Sequence, residues 1–295
     1  MQGFYAETAQ CAKTGHSLLK VDIVKLSRGE VISMSQIEIR YDDGVAYEKM
    51  MGTWSRAAGE IFLEWLAPSQ GLRWIDVGCG TGAFTELIIE RWAPAEVQGV
   101  DPSDAQLSFA RTRPLGQIVK FQWGDALSLP FSEAEFDVAV MALVIFFVPD
   151  PAKGVVEMAR VVRPGGIVAA YVWDMIGGGH PLEMMHTELS AIGFPAVHPP
   201  HSEITGLEAL RLLWRNASLD EIDTREITVR RTFADFEEYW TTSTLAATVR
   251  QTINAMHPSD VGLLKERMRG RLSADAEGHV TSVARANAIR GVRSR

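Results

Sequence analysis

Apolar side chains recur at three- and four-residue steps from Val45 to Leu66, through Met50, Met51, Trp54, Ala58, Ile61, Phe62 and Trp65. That spacing is one face of a helix. It breaks at Ala67-Pro68-Ser69. The pattern then switches repeatedly between short runs apolar on both faces and helix-length amphipathic stretches. Leu72 to Val77 predicts a buried strand, Gly78 to Gly82 a tight turn, and Ala83 to Trp92 a helix with Phe84, Leu87, Ile88 and Trp92 on one side. Val97 to Val100 predicts a second strand ending at Asp101. Ser103 and Gln106 match a capping box that starts a helix running to about Arg113. Ile118 to Gln122 and Phe136 to Met141 predict a third and a fourth strand. Asp150-Pro151 opens a helix through Val162 as an N-cap/N1 pair. Arg163-Pro164-Gly165-Gly166 ends it, and Ile167 to Trp173 predicts a fifth strand.

Strands apolar on both faces and separated by helices make an α/β fold, a doubly wound, mostly parallel sheet between helical layers. Ligands of such sheets lie beyond the carboxyl ends of the strands. That places the Gly78 turn, Asp101, Asp125 and Met141 along one rim. After Trp173 the alternation stops. Asp174 to Gly206 is rich in Gly and Pro, Leu207 to Asn216 predicts a helix, Glu221 to Phe233 an extended strand, Ala234 to about Leu272 mostly helix, and His279 to Gly291 a last strand. Residues 1–40 show no sustained period and are expected to be an extension; Met34 is an alternative start that a natural peptide from residues 1–33 would exclude. Residues 41–295 are expected to form a single domain, with a cofactor-binding core at about 70–173. Helical insertions at about 174–206 and 234–272 are expected to cover the ligand rim.

Composition narrows the classes. The 295 residues are 46% hydrophobic and 22% charged, too apolar for a disordered chain. Acidic residues exceed basic ones, 37 to 29, which argues against nucleic acid as a partner. The longest apolar run, Val138 to Val148, has 11 residues, short of the ~20 that span a bilayer. The two cysteines, Cys11 and Cys79, make neither a disulfide scaffold nor a zinc site, so a cytoplasmic location is expected.

The chemistry gathers at Asp76-Val77-Gly78-Cys79-Gly80-Thr81-Gly82. Glycines between a strand and a helix let a ligand lie against bare backbone, beside the positive end of the helix. Gly78, Gly80 and Ala83 also satisfy the dinucleotide pattern Gly-x-Gly-x-x-Ala, and Asp101, 23 residues after Gly78, suits ribose hydroxyls of either cofactor class. Asp76 before the glycines suits a cofactor amine better than a pyrophosphate. Gly124-Asp125-Ala126 offers an acceptor for an adenine amino group, and no Tyr-x-x-x-Lys pair occurs.

The ordered runs WIDVGCGTG, GVDPS, GDALSLPF, FDVAV and RPGG resemble the class I S-adenosylmethionine-dependent methyltransferases, most closely the ubiquinone/menaquinone-type small-molecule group (methyltransferase type 11). The resemblance covers about Tyr41 to Trp173, and it implies a Rossmann-like sheet and S-adenosyl-L-methionine as cofactor. By it, Gly78 and Gly80 would approach the methionine portion with their backbone and Asp76 would meet its ammonium. Asp101 would hold both ribose hydroxyls, with Ser103 flanking the adenine. Asp125 would accept from adenine N6 and the Ala126 backbone would meet the ring. Met141 and Ala142 would face the sulfonium, and Arg56 would bind the methionine carboxylate. Cys79 is turn filler.

Displacement at a sulfonium asks the protein mainly to align the acceptor and exclude water. If a general base is needed, Asp174 and His180 are the candidates, with His186 behind them. His198, His201 and Glu203 lack ligand-spaced partners, so no metal is expected. The stretch after the fourth strand is Met141-Ala142-Leu143-Val144, without the Asn/Asp-Pro-Pro-aromatic turn of adenine-N6 enzymes or the glutamate pair of arginine enzymes. No Pro-Cys nucleophile of the cytosine type is present. Lys265, Arg267, Arg269 and Arg271 read as a solvated helix face. A small, partly apolar organic acceptor remains. Its pocket walls would come from Met50, Met51 and Trp54, from Met184, Met185 and Phe194, and from Phe236, Tyr239 and Trp240. An NAD(P)-dependent oxidoreductase and a non-catalytic cofactor-binding protein are the alternatives. The sequence leaves oligomeric state open.

Overall fold

The computed structural model describes residues 18–27, 30–40, 48–194 and 198–295. The expectations for residues 1–17, 28–29 and 41–47, which include the start of the first predicted helix at Val45, and for Pro195 to Val197 lie outside these residues. One sheet of seven strands organises the chain: β3 (Arg73–Val77), β4 (Glu96–Asp101), β5 (Val119–Trp123), β6 (Phe136–Ala142), β7 (Val162–Trp173), β8 (Leu219–Phe233) and β9 (Val280–Arg293). Its spatial order is β5-β4-β3-β6-β7-β9-β8. β3 to β7 pair parallel, and β9 runs antiparallel between β7 and β8. The order reverses direction between β3 and β6, so the crevice for a ligand opens at the carboxyl ends of those two strands.

Residues 18–27 and 30–40 depart from the expected extension without a sustained period. β1 (Leu18–Ser27) and β2 (Glu30–Arg40) pair as an antiparallel hairpin. The alternation Gln36-Ile37-Glu38-Ile39-Arg40 is the period-two signal for it.

Successive side chains of the central strands point to opposite faces and build two cores. On one face, Trp74, Val138, Val140, Ala169, Tyr171 and Trp173 pack with α1 (Thr53–Leu66) and α2 (Ala83–Trp92). The same core takes in α5 (Glu183–Ala191), α7 (Phe236–Ser243), α8 (Ala247–Ala255) and α9 (Pro258–Arg271). Phe62, Phe84 and Tyr171 meet there at ring-centroid distances of 4.8–6.0 Å. On the other face, Ile75, Val77, Ala139, Met141, Val168 and Val172 pack against α4 (Pro151–Val161) and α6 (Leu207–Asn216). Asp150 caps α4 by accepting from the Lys153 N–H at 3.0 Å, and Pro151 occupies its first turn, as the sequence predicts.

α3 (Asp104–Ala110) starts at the predicted Ser103 cap but stops short of Arg113. The segment after β7 contains α5, a helix within the insertion expected at about 174–206. Met50, Met51, Trp54, Met185, Phe194, Phe236 and Tyr239, expected as pocket walls, are buried members of the first core; Met184 and Trp240 are half-buried against it. Among the described residues no helix is long and apolar enough to cross a membrane.

Candidate functional site

The glycine turn hangs from β4 by two bonds: the N–H groups of Gly78 and Cys79 donate to the Val100 carbonyl at 2.7 and 3.0 Å. Gly78 has φ +77°, and a Cβ there would run into the side chain of Val144, which follows β6. Gly80 has φ +53°, and a Cβ there would meet nothing within 4 Å. The first glycine therefore lets the β6 loop close on the turn, and the second borders open space. Leu143, beside Val144, holds the left-handed conformation at φ +61°, uncommon for a bulky residue, with its N–H bonded to the Tyr171 carbonyl at 2.8 Å.

Asp76 lies under the turn with no exposed surface. Its Oδ2 accepts from Thr85 Oγ1 in α2 at 2.7 Å, while Oδ1 is buried without a partner among the described residues. Burial pushes this carboxyl up to about 7; the Thr85 bond opposes the rise and the charge of Asp101 adds to it. Asp101, at the tip of β4, is also largely buried, which raises its pKa against the pull of two backbone donors. Gly80 N–H reaches its Oδ2 at 2.9 Å and Ser103 N–H its Oδ1 at 2.8 Å. A carboxylate has about four acceptor sites, so both oxygens retain capacity for a ligand's hydroxyls. Ser103 is the N-cap of α3, its hydroxyl taking the Gln106 N–H at 3.4 Å.

Past β5, the Gly124 N–H donates to the Asp101 carbonyl at 3.3 Å, which joins the third rim turn to the second. Asp125 is exposed there and accepts from the Leu127 N–H at 2.8 Å through one oxygen. Ala126 packs its methyl into the second core. Asp76, Gly78, Gly80, Asp101, Ser103 and Asp125 therefore lie at three adjoining strand ends and the turns that follow them, and the half-buried Ala142 lies at the tip of β6.

Four expected site residues are elsewhere or otherwise engaged. Arg56 points along α1 to Glu90 (2.6 Å) and Glu60 (3.5 Å), toward the far end of α2, so it does not serve a carboxylate at the turn. Met141 faces the second core, fully buried, because its parity matches Ala139 and not Asp76 or Val140. Asp174 is not a free base: Arg285 holds Oδ2 at 2.5 and 2.8 Å, and the Gly177 N–H holds Oδ1 at 2.8 Å, so it anchors the glycine-rich loop to β9. His180 accepts the Leu182 N–H at Nδ1 and lies against His186, ring centroids 5.4 Å apart, with His198 beyond at 5.7 Å from His186. Burial holds His180 well below its ordinary pKa and His186 at about 4, which makes either a weak base at neutral pH.

The basic stretch on α9 is paired, two cations to each of two carboxylates. Lys265 and Arg269 pair with Glu237, and Arg267 and Arg271 pair with the buried Glu188 of α5 at 2.6 and 2.7 Å. Sequence reasoning missed Thr85, Leu143 and Val144, whose roles depend on contacts between elements.

Residues 75–170 match the family described as "Methyltransferase domain". An O-methyltransferase of Penicillium expansum is 32% identical over 169 residues, 55% of this chain and 57% of that protein. A demethylmenaquinone methyltransferase of Desulfitobacterium hafniense is 35% identical over 105 residues, 34% of this chain and 42% of that protein. The chain spans about half the length of these curated relatives. Among solved structures, phosphoethanolamine N-methyltransferase 2 of Haemonchus contortus, in complex with S-adenosyl-L-methionine, superposes with a TM-score of 0.54 at 17% identity, covering 97% of this chain and 71% of that one. That likeness is one of fold, and the seven-stranded sheet is the class I methyltransferase fold.

Proposed function

We propose that this protein transfers a methyl group from S-adenosyl-L-methionine to a small, partly apolar organic acceptor in the cytoplasm. The observation that carries the reading is Asp76: a carboxylate with no exposed surface, one oxygen bonded to Thr85 and the other unpartnered, beneath a glycine turn with open space at Gly80. An unpaired buried carboxylate is costly unless a cation offsets it. The ammonium of the cofactor's methionine is such a cation, and a dinucleotide pyrophosphate is not.

Asp101 would take the ribose hydroxyls with the acceptor capacity left on its oxygens. The exposed carboxylate of Asp125 and the Ala126 backbone would meet the adenine, with the exposed indole of Trp123 at its edge. Bound there, S-adenosyl-L-methionine supplies an electrophilic methyl on sulfur. The protein's share is to orient the acceptor and keep water out, which Leu143 and Val144 at the tip of β6 are placed to do. With Asp174 locked to Arg285 and His180 of low basicity, the site suits an acceptor already nucleophilic at neutral pH. The relatives named for O-methylation and for demethylmenaquinone support a small organic acceptor.

Calorimetry with S-adenosylhomocysteine and with NADH, followed by transfer of a radiolabelled methyl group into a metabolite extract, tests the proposal. Binding of the former alone and label in a low-mass product are expected. Binding of NADH alone, or label confined to macromolecules, would overturn it.

A further inference from the structure

The chain just before α1 is fastened to the glycine turn by side chains that the proposed chemistry does not use. Glu48–Gly52 is a π-helical turn, a rare form that concentrates at functional places. Glu48 Oε1 accepts from Thr81 Oγ1 at 2.9 Å and from Arg113 Nη2 at 2.7 Å. The remaining Arg113 nitrogens are also committed: Nε donates to the Thr81 carbonyl at 2.6 Å and Nη1 to Glu86 in the first turn of α2 at 2.5 Å. One guanidinium thus joins the π-turn, the glycine turn and the helix behind it, a use of the planar fork that a lysine cannot reproduce. Gly52 makes room for the contact, since a Cβ there would lie 2.8 Å from Glu48 Oε2. Next to Glu48 in the π-turn, Arg231 of β8 donates to the carbonyls of Lys49 at 3.3 Å and Met50 at 2.9 Å. Residues 48–52 form a strap tied at two points.

We propose that Glu48 and Arg113 are positioning residues for the cofactor: they hold the strap against the glycine turn and fix the Thr81 peptide, so that a seated cofactor leaves slowly. The inference rests on reading the turn as an S-adenosyl-L-methionine site. Neither side chain is assigned a contact with the reacting atoms. The effect therefore falls on residence time, and the KM for cofactor rises more than kcat falls.

Stopped-flow dissociation of S-adenosylhomocysteine from the full chain is the test, with thermal unfolding run alongside. Glu48→Gln and Arg113→Lys are each expected to speed dissociation about tenfold, the range of one charged hydrogen bond. The double variant should speed dissociation by less than the product of the two single effects, because the Glu48–Arg113 contact is lost in either single variant. Gly52→Ala leaves every charge in place and should move dissociation the same way by a smaller factor. Unchanged dissociation in these variants, or effects that multiply in the double variant, would overturn the strap while leaving the site reading intact. Failure of the unmodified protein to bind S-adenosylhomocysteine would overturn both.

Discussion

Replacing Asp76 by Asn isolates the cost of a buried charge. Burial raises this carboxyl from 3.8 to about 7, so between those values the native state holds a proton that the unfolded chain has lost. The contribution of the group to stability is therefore complete below 3.8 and is lost as pH rises through 7. At 1.36 kcal/mol per pKa unit the loss amounts to about 4 kcal/mol. Asn cannot titrate, and Thr85 can still donate to its carbonyl oxygen. Its amide would inherit the unpartnered position of Oδ1, at a constant cost of about 1–3 kcal/mol. Urea unfolding of both proteins from about pH 4 to pH 8 measures the difference, with the titrating groups remote from Asp76 cancelling. The variant should gain about 4 kcal/mol relative to the parent across that range. Its affinity for S-adenosylhomocysteine should fall at the alkaline end, where the parent carboxylate is charged. A difference that stays flat with pH would refute the account of Asp76, and with it the main support for a cationic ligand.

Asp101→Ala should weaken S-adenosylhomocysteine by about 10- to 100-fold in calorimetry, since charged hydrogen bonds are worth ~1.5–3 kcal/mol; unchanged affinity would place the ribose elsewhere. The double variant Arg267→Met, Arg271→Met strands the buried Glu188 and should lose about 3 kcal/mol in urea unfolding, whereas either single variant keeps one partner and should lose about 1. Hydrogen exchange in residues 174–206 and 234–272 should slow when cofactor and acceptor are both present. Unchanged exchange in both segments would deny them a covering role.

Much of the sheet is legible in the sequence because β3, β4, β6 and β7 are runs buried on both faces, and the helices between them carry caps such as Ser103 and Asp150 at their starts. The acidic tips are legible for the same reason, since each lies within two residues of a strand end and beside a turn. The face that a residue serves is not legible. Met141 and Asp76 are each the last residue but one of a strand, yet Asp76 pairs with Val140, and one residue of parity sends Met141 into the opposite core. Arg56 has the charge for a carboxylate but sits beside Glu60 and Glu90, neighbours set by the packing of α1 on α2. Asp174 is at the expected rim, but its partner Arg285 lies 111 residues on in β9. Glu48 and Arg113 are 65 residues apart and share no pattern that a period could reveal.

The insertion of β9 between β7 and β8 has a kinetic consequence during synthesis. When residues 219–233 leave the ribosome, the strand they form has no neighbour to join, because the one it needs is still untranslated. Until residue 293 is made, the edge of β7 stays open and β8 carries unmatched backbone donors and acceptors, the features that invite aggregation. The nascent protein should therefore depend on chaperone shielding until those residues emerge, and release of ribosome-bound chains stopped before and after residue 293 would measure that dependence.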